Sequence, residues 1–262
     1  MGRIFVTVFL TVFSATAAFP YLGEVVGSFD SPDAGITGLA ISSEHLFALR
    51  AYIPDTPVYR CNPITGSVVG SFGLPWRTDY LMGLAYSGDG YLWTSDVENR
   101  YVCKIDVDSG NFCGSWSTHY MAYGLAPRCT GDGGVGTSRI LGTDEYDTVF
   151  VHEKAGGSIS ASFSIAHPNY SDCAYDWRNE VIWQVSGDSP YHICGYRLNG
   201  AILASFPNPN PYRFGTYSLA YRGEYLWFYA GVYPDYDIYR IHCPARLSVE
   251  PASLGKVKAL YR

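Results

Sequence analysis

The sequence predicts an all-β chain folded as one five-bladed β-propeller with four-stranded antiparallel blades. Three observations carry that expectation. A single phrase, a glycine followed by a short apolar run and a close in small-Ser-aromatic, occurs five times, at Gly23–Phe29, Gly66–Phe72, Gly110–Trp116, Gly157–Phe163 and Gly200–Phe206. Its lead glycines stand 43, 44, 47 and 43 residues apart, the period at which radially repeated four-stranded sheets recur. The last repeat is also one strand short, while a lone strand bearing the same phrase stands near the N-terminus.

Taken in order, residues 1–18 read as a secretory signal peptide. Arg3 precedes the apolar run Ile4–Phe13, and Ala15-Thr16-Ala17 offers a small-x-small cleavage site. The run is too short to span a bilayer, and no later stretch reaches the ~18–20 apolar residues of a membrane helix. The expectation is an exported chain with no transmembrane segment. Glu24–Phe29 is then a strand without a local partner. Blade 1 reads Thr37–Ser42, His45–Ala51, Val58–Asn62 and Ser67–Phe72, and blade 2 Leu81–Ser87, Tyr91–Asp96, Tyr101–Asp106 and Asn111–Trp116. Blade 4 reads Ser171–Trp177, Val181–Gly187, Tyr191–Leu198 and Ala201–Phe206. Blade 5 has only Thr216–Arg222, Tyr225–Gly231 and Asp237–Cys243. Glu24–Phe29 therefore supplies its fourth strand and closes the ring, which removes the open edges a linear array would present. The propeller is expected over residues 19–245, with a basic tail over 246–262.

Internal positions repeat as well. Strand one carries Gly38-Leu39-Ala40, Gly83-Leu84-Ala85, Gly124-Leu125-Ala126, then Cys173-Ala174 and Leu219-Ala220, small residues suited to a narrow axis. Strand two carries Phe47, Trp93, Trp183 and Trp227, large enough to fill the space between blades. Blade 3 departs from this. Its strands Tyr123–Arg128 and Arg139–Asp144 are joined by Cys129–Thr137, where four glycines suggest an irregular, mobile loop, and its second strand lacks the large aromatic. No Lys-Ser/Thr ending makes this loop a phosphate cradle.

The stretch GLAYSGDGYLWTSD followed by YVCKIDVDSG (Gly83–Gly110) resembles the blades of secreted bacterial propellers of the NHL-like and glutamine-cyclotransferase-like families. The resemblance extends over residues 23–243 and implies a five-bladed propeller. It lies in structural positions, and no catalytic residue is carried over from it.

Charged residues make up 16% of the chain and aromatics another 16%, with 23 Tyr, and the net charge is −6. With no basic stripe to neutralise phosphates, nucleic acid is not an expected partner, and no cofactor motif is present. Seven cysteines in an exported chain favour disulfides. Cys103 and Cys113 lie symmetrically about Asp108 on one hairpin and are expected to be bonded.

Antiparallel strands place the loops joining strand four to one, and two to three, on a single face, hereafter the upper face. Trp76, Arg77, Asp79, Tyr80, His119, Tyr120, His167, Tyr170, Asp172, Tyr212 and Arg213 come from its four-to-one loops. Aromatic rings beside carboxylates, imidazoles and guanidinium groups suit stacking and directional hydrogen bonding to a carbohydrate or peptide. The opposite face is expected to be plain, its turns short and polar. The expected function is a secreted, monomeric, non-enzymatic binding module. The alternative is an extracellular enzyme at the same face, glutaminyl-cyclase-like or a carbohydrate hydrolase or lyase.

Overall fold

The computed structural model describes residues 20–51, 56–74, 80–146, 148–166, 172–187, 191–210, 216–232 and 235–244. Strand β1 (Val25–Asp30) precedes blade 1, which is β2 (Ile36–Ile41), β3 (Leu46–Arg50), β4 (Pro57–Cys61) and β5 (Val68–Gly73). Blade 2 is β6 (Leu81–Tyr86), β7 (Tyr91–Asp96), β8 (Tyr101–Asp106) and β9 (Phe112–Ser117). Blade 3 is β10 (Gly124–Arg128), β11 (Arg139–Thr143), β12 (Thr148–Glu153) and β13 (Ile159–Ser164). Blade 4 is β14 (Ala174–Asp176), β15 (Val181–Val185), β16 (His192–Arg197) and β17 (Ile202–Pro207). Blade 5 contributes β18 (Thr216–Arg222), β19 (Tyr225–Val232) and β20 (Asp235–His242). Each blade is a four-stranded antiparallel sheet, and the fifth has the order β1-β20-β19-β18. The molecule is a five-bladed β-propeller closed by its N-terminal strand. Ser28 faces Tyr239 and Phe29 faces Ile238 across the seam, and His242 N–H donates to the Glu24 carbonyl at 2.8 Å. The proposed signal peptide and the basic tail lie outside the described residues, among which no helix is long and apolar enough to cross a membrane.

The core is a set of apolar layers between neighbouring blades. Trp183, Phe206 and Phe228 pack blade 4 against blade 5, and Trp227, Tyr229 and Leu39 pack blade 5 against blade 1. At the rim the recurring phrase shows its use. The lead glycine of one blade lies against the closing aromatic of the blade before it: Gly66 on Phe29, Gly110 on Phe72, Gly157 on Trp116 and Gly23 on Phe206. Gly200 lies on the Ser164 carbonyl, one residue beyond Phe163. Gly157 shows why no other residue serves: its φ is +71°, and a Cβ there would stand 2.1 Å from the Trp116 ring. The phrase is therefore a blade-to-blade lock, and the contact of Gly23 with Phe206 fastens the seam with the same device.

The fourth position of the phrase carries a second repeated feature. Each outer strand skips one residue in its pairing with the strand inside it, leaving Val26, Val69, Cys113, Ser160 and Leu203 as one-residue bulges. A bulge bends and twists an exposed edge, which disfavours pairing with another chain. It also overturns the expected Cys103–Cys113 disulfide. With Cys113 in the bulge, Cys103 pairs with Ser115, Cys103 is buried and Cys113 is exposed, and both thiols are free. Counting residues symmetrically about the hairpin fails once one strand holds an extra residue.

Gly157→Ala should destabilise the fold by roughly 2–4 kcal/mol through backbone strain plus overpacking. Gly70, in the same phrase but with open space around it, should tolerate alanine within about 0.5 kcal/mol. Urea denaturation of both variants checks this, and equal losses would dissolve the lock.

Candidate functional site

The five first strands are edge strands facing a narrow axis, so each presents backbone N–H groups with no sheet partner. Asp172 answers them. It is fully buried, its Oδ2 accepts from Leu39 N–H at 3.1 Å, and its Oδ1 accepts from Leu125 N–H at 3.0 Å and Cys173 N–H at 2.9 Å. Leu219 N–H is a fourth donor. Four blades thus hydrogen-bond one carboxyl. Burial pushes the Asp172 carboxyl well above the usual carboxylate range, and the four N–H groups pull it back toward the ionised form. Position within the repeat explains the placement. Gly38, Gly83, Gly124, Asp172 and Ser218 all stand two residues before the alanine that recurs in strand one.

Toward this upper end polar side chains are buried among apolar ones such as Ile36 and Leu81. Thr37 Oγ1 donates to the Leu81 carbonyl at 2.8 Å and Thr94 Oγ1 to the Gly83 carbonyl at 3.0 Å. Thr143 Oγ1, Ser218 Oγ, Asn208 Nδ2 and Asn210 Oδ1 are buried without a hydrogen-bond partner. Thr143 ends β11, Ser218 is the third residue of β18, and the two asparagines follow β17, so all four lie toward the upper face.

Between blades 2 and 3 a run of rings rises to the same face. Trp93 and Trp116 have centroids 4.5 Å apart, Tyr120 stacks on His152 at 5.7 Å and on Phe150 at 4.1 Å, and exposed His119 stands edge-on to Phe150 at 5.2 Å. Gly142 makes room for Tyr120, since a Cβ there would lie 2.3 Å from its hydroxyl. The hydroxyl donates to His152 Nε2 at 2.6 Å, while His152 Nδ1–H donates to the Gly157 carbonyl at 2.8 Å. Both ring nitrogens are thus engaged in the neutral form, and burial lowers the His152 pKa below 6.5.

The glycine-rich loop of blade 3, expected to be mobile, is instead a fixed lid over the lower end of the axis. Gly133 abuts Ser42 and Ser43 of blade 1, and Gly134 abuts Tyr86 and Gly88 of blade 2. Asp132 accepts from Trp177 Nε1 at 2.8 Å, from Arg178 Nη2 at 2.8 Å and from Gly223 N–H at 2.9 Å, in blades 4 and 5. The glycines serve close backbone approach to blades 1 and 2, and the Asp132 carboxylate ties the loop to blades 4 and 5. Above the lid an axial cavity of about 20 Å³, lined by Leu39, Leu84, Leu125, Cys173 and Leu219, is closed below by Gly134.

Of the residues singled out from the sequence, Tyr80 and His119 are exposed on the upper face. Tyr120 is buried under His119, and Asp172 is on the axis. Trp76, Arg77, Asp79, His167, Tyr170, Tyr212 and Arg213 lie outside the described residues. Sequence reasoning missed the axial role of Asp172, for which the signal was a carboxylate at a repeat position otherwise glycine or serine. It also missed the Tyr120–His152 bond, for which Gly142 was the only sign.

No family model and no curated protein matches this chain. Solved structures do. A glutaminyl cyclase from Myxococcus xanthus is similar with a TM-score of 0.63 at 12% identity, over 84% of this chain and 95% of that one. The structure of U3-55K is similar with a TM-score of 0.52 at 12% identity, over 84% and 100%. The WD40 repeats of RRP9 give 0.51 at 12%, over 85% and 99%. At these identities the likeness is one of fold.

Asp172→Asn sets an amide NH₂ against backbone donors and should cost roughly 2–4 kcal/mol in urea denaturation; a neutral effect would remove the carboxyl from its central place. A second expectation concerns acid. The unfolded state takes up a proton on His152 near 6.5 and the folded state only at lower pH, so stability is full above that value and is lost as pH falls through the folded pKa. His152→Gln should make the melting temperature less steep between about pH 5 and 7.5. An unchanged slope would show that His152 does not titrate there.

Proposed function

We propose that the protein is a secreted, non-enzymatic binding propeller whose upper face takes a carbohydrate or peptide. The supporting observation is the chemistry buried toward the upper face. Buried hydroxyl and amide atoms of Thr143, Ser218, Asn208 and Asn210 have hydrogen-bonding capacity in hand, while both oxygens of the axial carboxyl, Asp172, are held by backbone N–H groups. Unbonded neutral donors and acceptors just beneath this face suit recognition by a ligand whose entry shifts them into reach. A general acid or base must instead exchange a proton with its substrate, and Asp172 is fully buried among donors. Exposed His119, Phe150 beneath it and Tyr80 add ring surface for stacking. Secretion rests on residues 1–18 alone. The Myxococcus xanthus glutaminyl cyclase lends its fold to this reading and nothing of its chemistry.

Screening the chain without residues 1–18 on glycan and peptide arrays should yield a ligand. Tyr80→Ala and His119→Ala should each weaken it by roughly 1–2 kcal/mol, about 5- to 30-fold, with the fold retained. Trp76→Ala, on the same face by sequence, should do likewise. Full affinity in all three variants would move the site elsewhere, and cyclisation of a peptide with N-terminal glutamine by the purified protein would overturn the non-enzymatic reading.

A further inference from the structure

We propose that the lower face carries a second, separate binding site, a cleft between blades 3 and 4 that takes a sugar unit bearing an oxyanion, either a sulfate ester or a uronate carboxylate. The cleft has a volume of about 420 Å³ and is lined by Arg128, Thr130, Ser138, Arg139, Trp177 and Glu180, with Cys129 and Tyr175 beside them. That volume falls within the roughly 300–1,000 Å³ of small-molecule sites. The sequence led to the expectation of a plain lower face, and blade 3 is where that expectation fails.

The argument begins from β10 and β11. Arg128 and Arg139 stand directly opposite each other across this antiparallel pair, an arrangement that disfavours the sheet because like charges face at close range. Nothing in the composition forces it, since the chain holds 24 acidic against 18 basic residues. The neighbours only partly offset it. Glu153, opposite Arg139 on β12, accepts from Arg139 Nε at 2.7 Å, which leaves the terminal nitrogens of that guanidinium to other partners. Arg128 bonds the Tyr175 hydroxyl, a neutral group. Two guanidinium groups are thus set side by side at one cleft, with a single carboxylate bonded between them. An oxyanion placed there relieves the repulsion and gains charge-assisted hydrogen bonds.

The rest of the lining specifies a ring with hydroxyls rather than a bare anion. Trp177 is fixed by its Nε1–H bond to Asp132 and by Arg178, whose guanidinium carbon lies 5.1 Å from the ring centroid. It is half-buried and lines the cleft, so the part of the ring left accessible is held in place for a sugar ring to pack on. Thr130, Ser138 and Glu180 are exposed at the rim. The hydroxyls can donate or accept, and Glu180 accepts from ligand hydroxyls while repelling a second negative group. The lid joins the site to the fold, because Asp132 holds both Trp177 and Arg178.

Calorimetric titration with a sulfated disaccharide, a uronate-containing disaccharide, the neutral disaccharide of equal length and inorganic sulfate tests this. At least one acidic disaccharide should bind about ten-fold or more tightly than both the neutral sugar and sulfate, and more weakly as salt is raised. Arg128→Gln and Arg139→Gln should each lower that affinity about ten-fold or more. Arg128→Gln should leave the melting temperature of the free protein unchanged or higher, because it removes a repulsion. Tyr80→Ala and His119→Ala on the upper face should not alter this binding, which separates its failure from that of the upper-face reading. Equal binding of neutral and acidic sugars, binding of inorganic sulfate as tight as of the disaccharides, or no binding at all would overturn the proposal. So would an Arg128→Gln protein that melts lower yet binds as before, since the pair would then serve the fold.

Discussion

Five strands cannot meet at an axis without bringing their unpaired edges together, and in this molecule one carboxyl group accepts an N–H hydrogen bond from four of them. A buried N–H left without a partner costs about 1–3 kcal/mol, so four of them rival the roughly 5–15 kcal/mol by which a domain is stable. Asp172 reaches four blades at once because it stands where the other blades carry glycine or serine. Burying a carboxylate alone would cost far more than it returns, and only the convergence of donors makes the position tenable. A leucine there would fill the space and satisfy nothing. The same residue also sets the character of the upper face, since it floors that end of the axis with a group fully engaged by the fold.

The rim solves a different problem, that of fixing neighbouring blades at a constant angle. There the solution is steric. A glycine of positive φ receives the aromatic of the preceding blade, and the lock recurs around the circle, with Gly23 and Phe206 at the seam and a backbone carbonyl in place of the ring at Gly200. Third-position residues Val25, Val68, Phe112, Ile159 and Ile202 remain exposed, and the adjoining bulge keeps that apolar edge from being a flat template for another chain. This is why architecture was so legible from the sequence. Each repeated letter of the phrase answers a geometric demand that is identical in all blades, so the demand appears as a repeat.

What could not be read has the opposite property. The bulge falls on Val26, Val69, Cys113, Ser160 and Leu203, five residues with no shared chemistry, so a backbone feature common to every blade left no letter in the sequence, and the cysteine pairing was misjudged for that reason. Asp172 read as a loop acid because its partners are N–H groups, which every residue has, drawn from strands up to 133 residues away. The lid read as slack because glycine is ambiguous: it permits motion where nothing approaches, and close packing where other blades do. Tyr120 read as a ligand contact because the space it fills was made by a missing side chain at Gly142. In the candidate site, then, residue types and the face were legible, while which of them reach solvent was decided by contacts distant in sequence.

Apart from the bulge, which every blade shares, these departures fall in or beside blade 3. A ring of equivalent blades offers any ligand five equivalent surfaces, and specificity requires that one of them differ. In blade 3 the second strand gives up its large aromatic, the incoming linker supplies His119 and Tyr120 to the upper face, the first loop grows into the lid, and two arginines face each other at the lower cleft. Each change breaks a rule that the other blades keep, and the bonds of the like-charge pair to Glu153 and Tyr175 only partly offset its repulsion. Local rules are broken at a cost, and sequences tolerate that cost chiefly where a site requires it. The same physical logic that reads the regular blades as scaffold therefore marks blade 3 as the place where residue chemistry departs from the repeat on both faces, and the proposed sites draw on it.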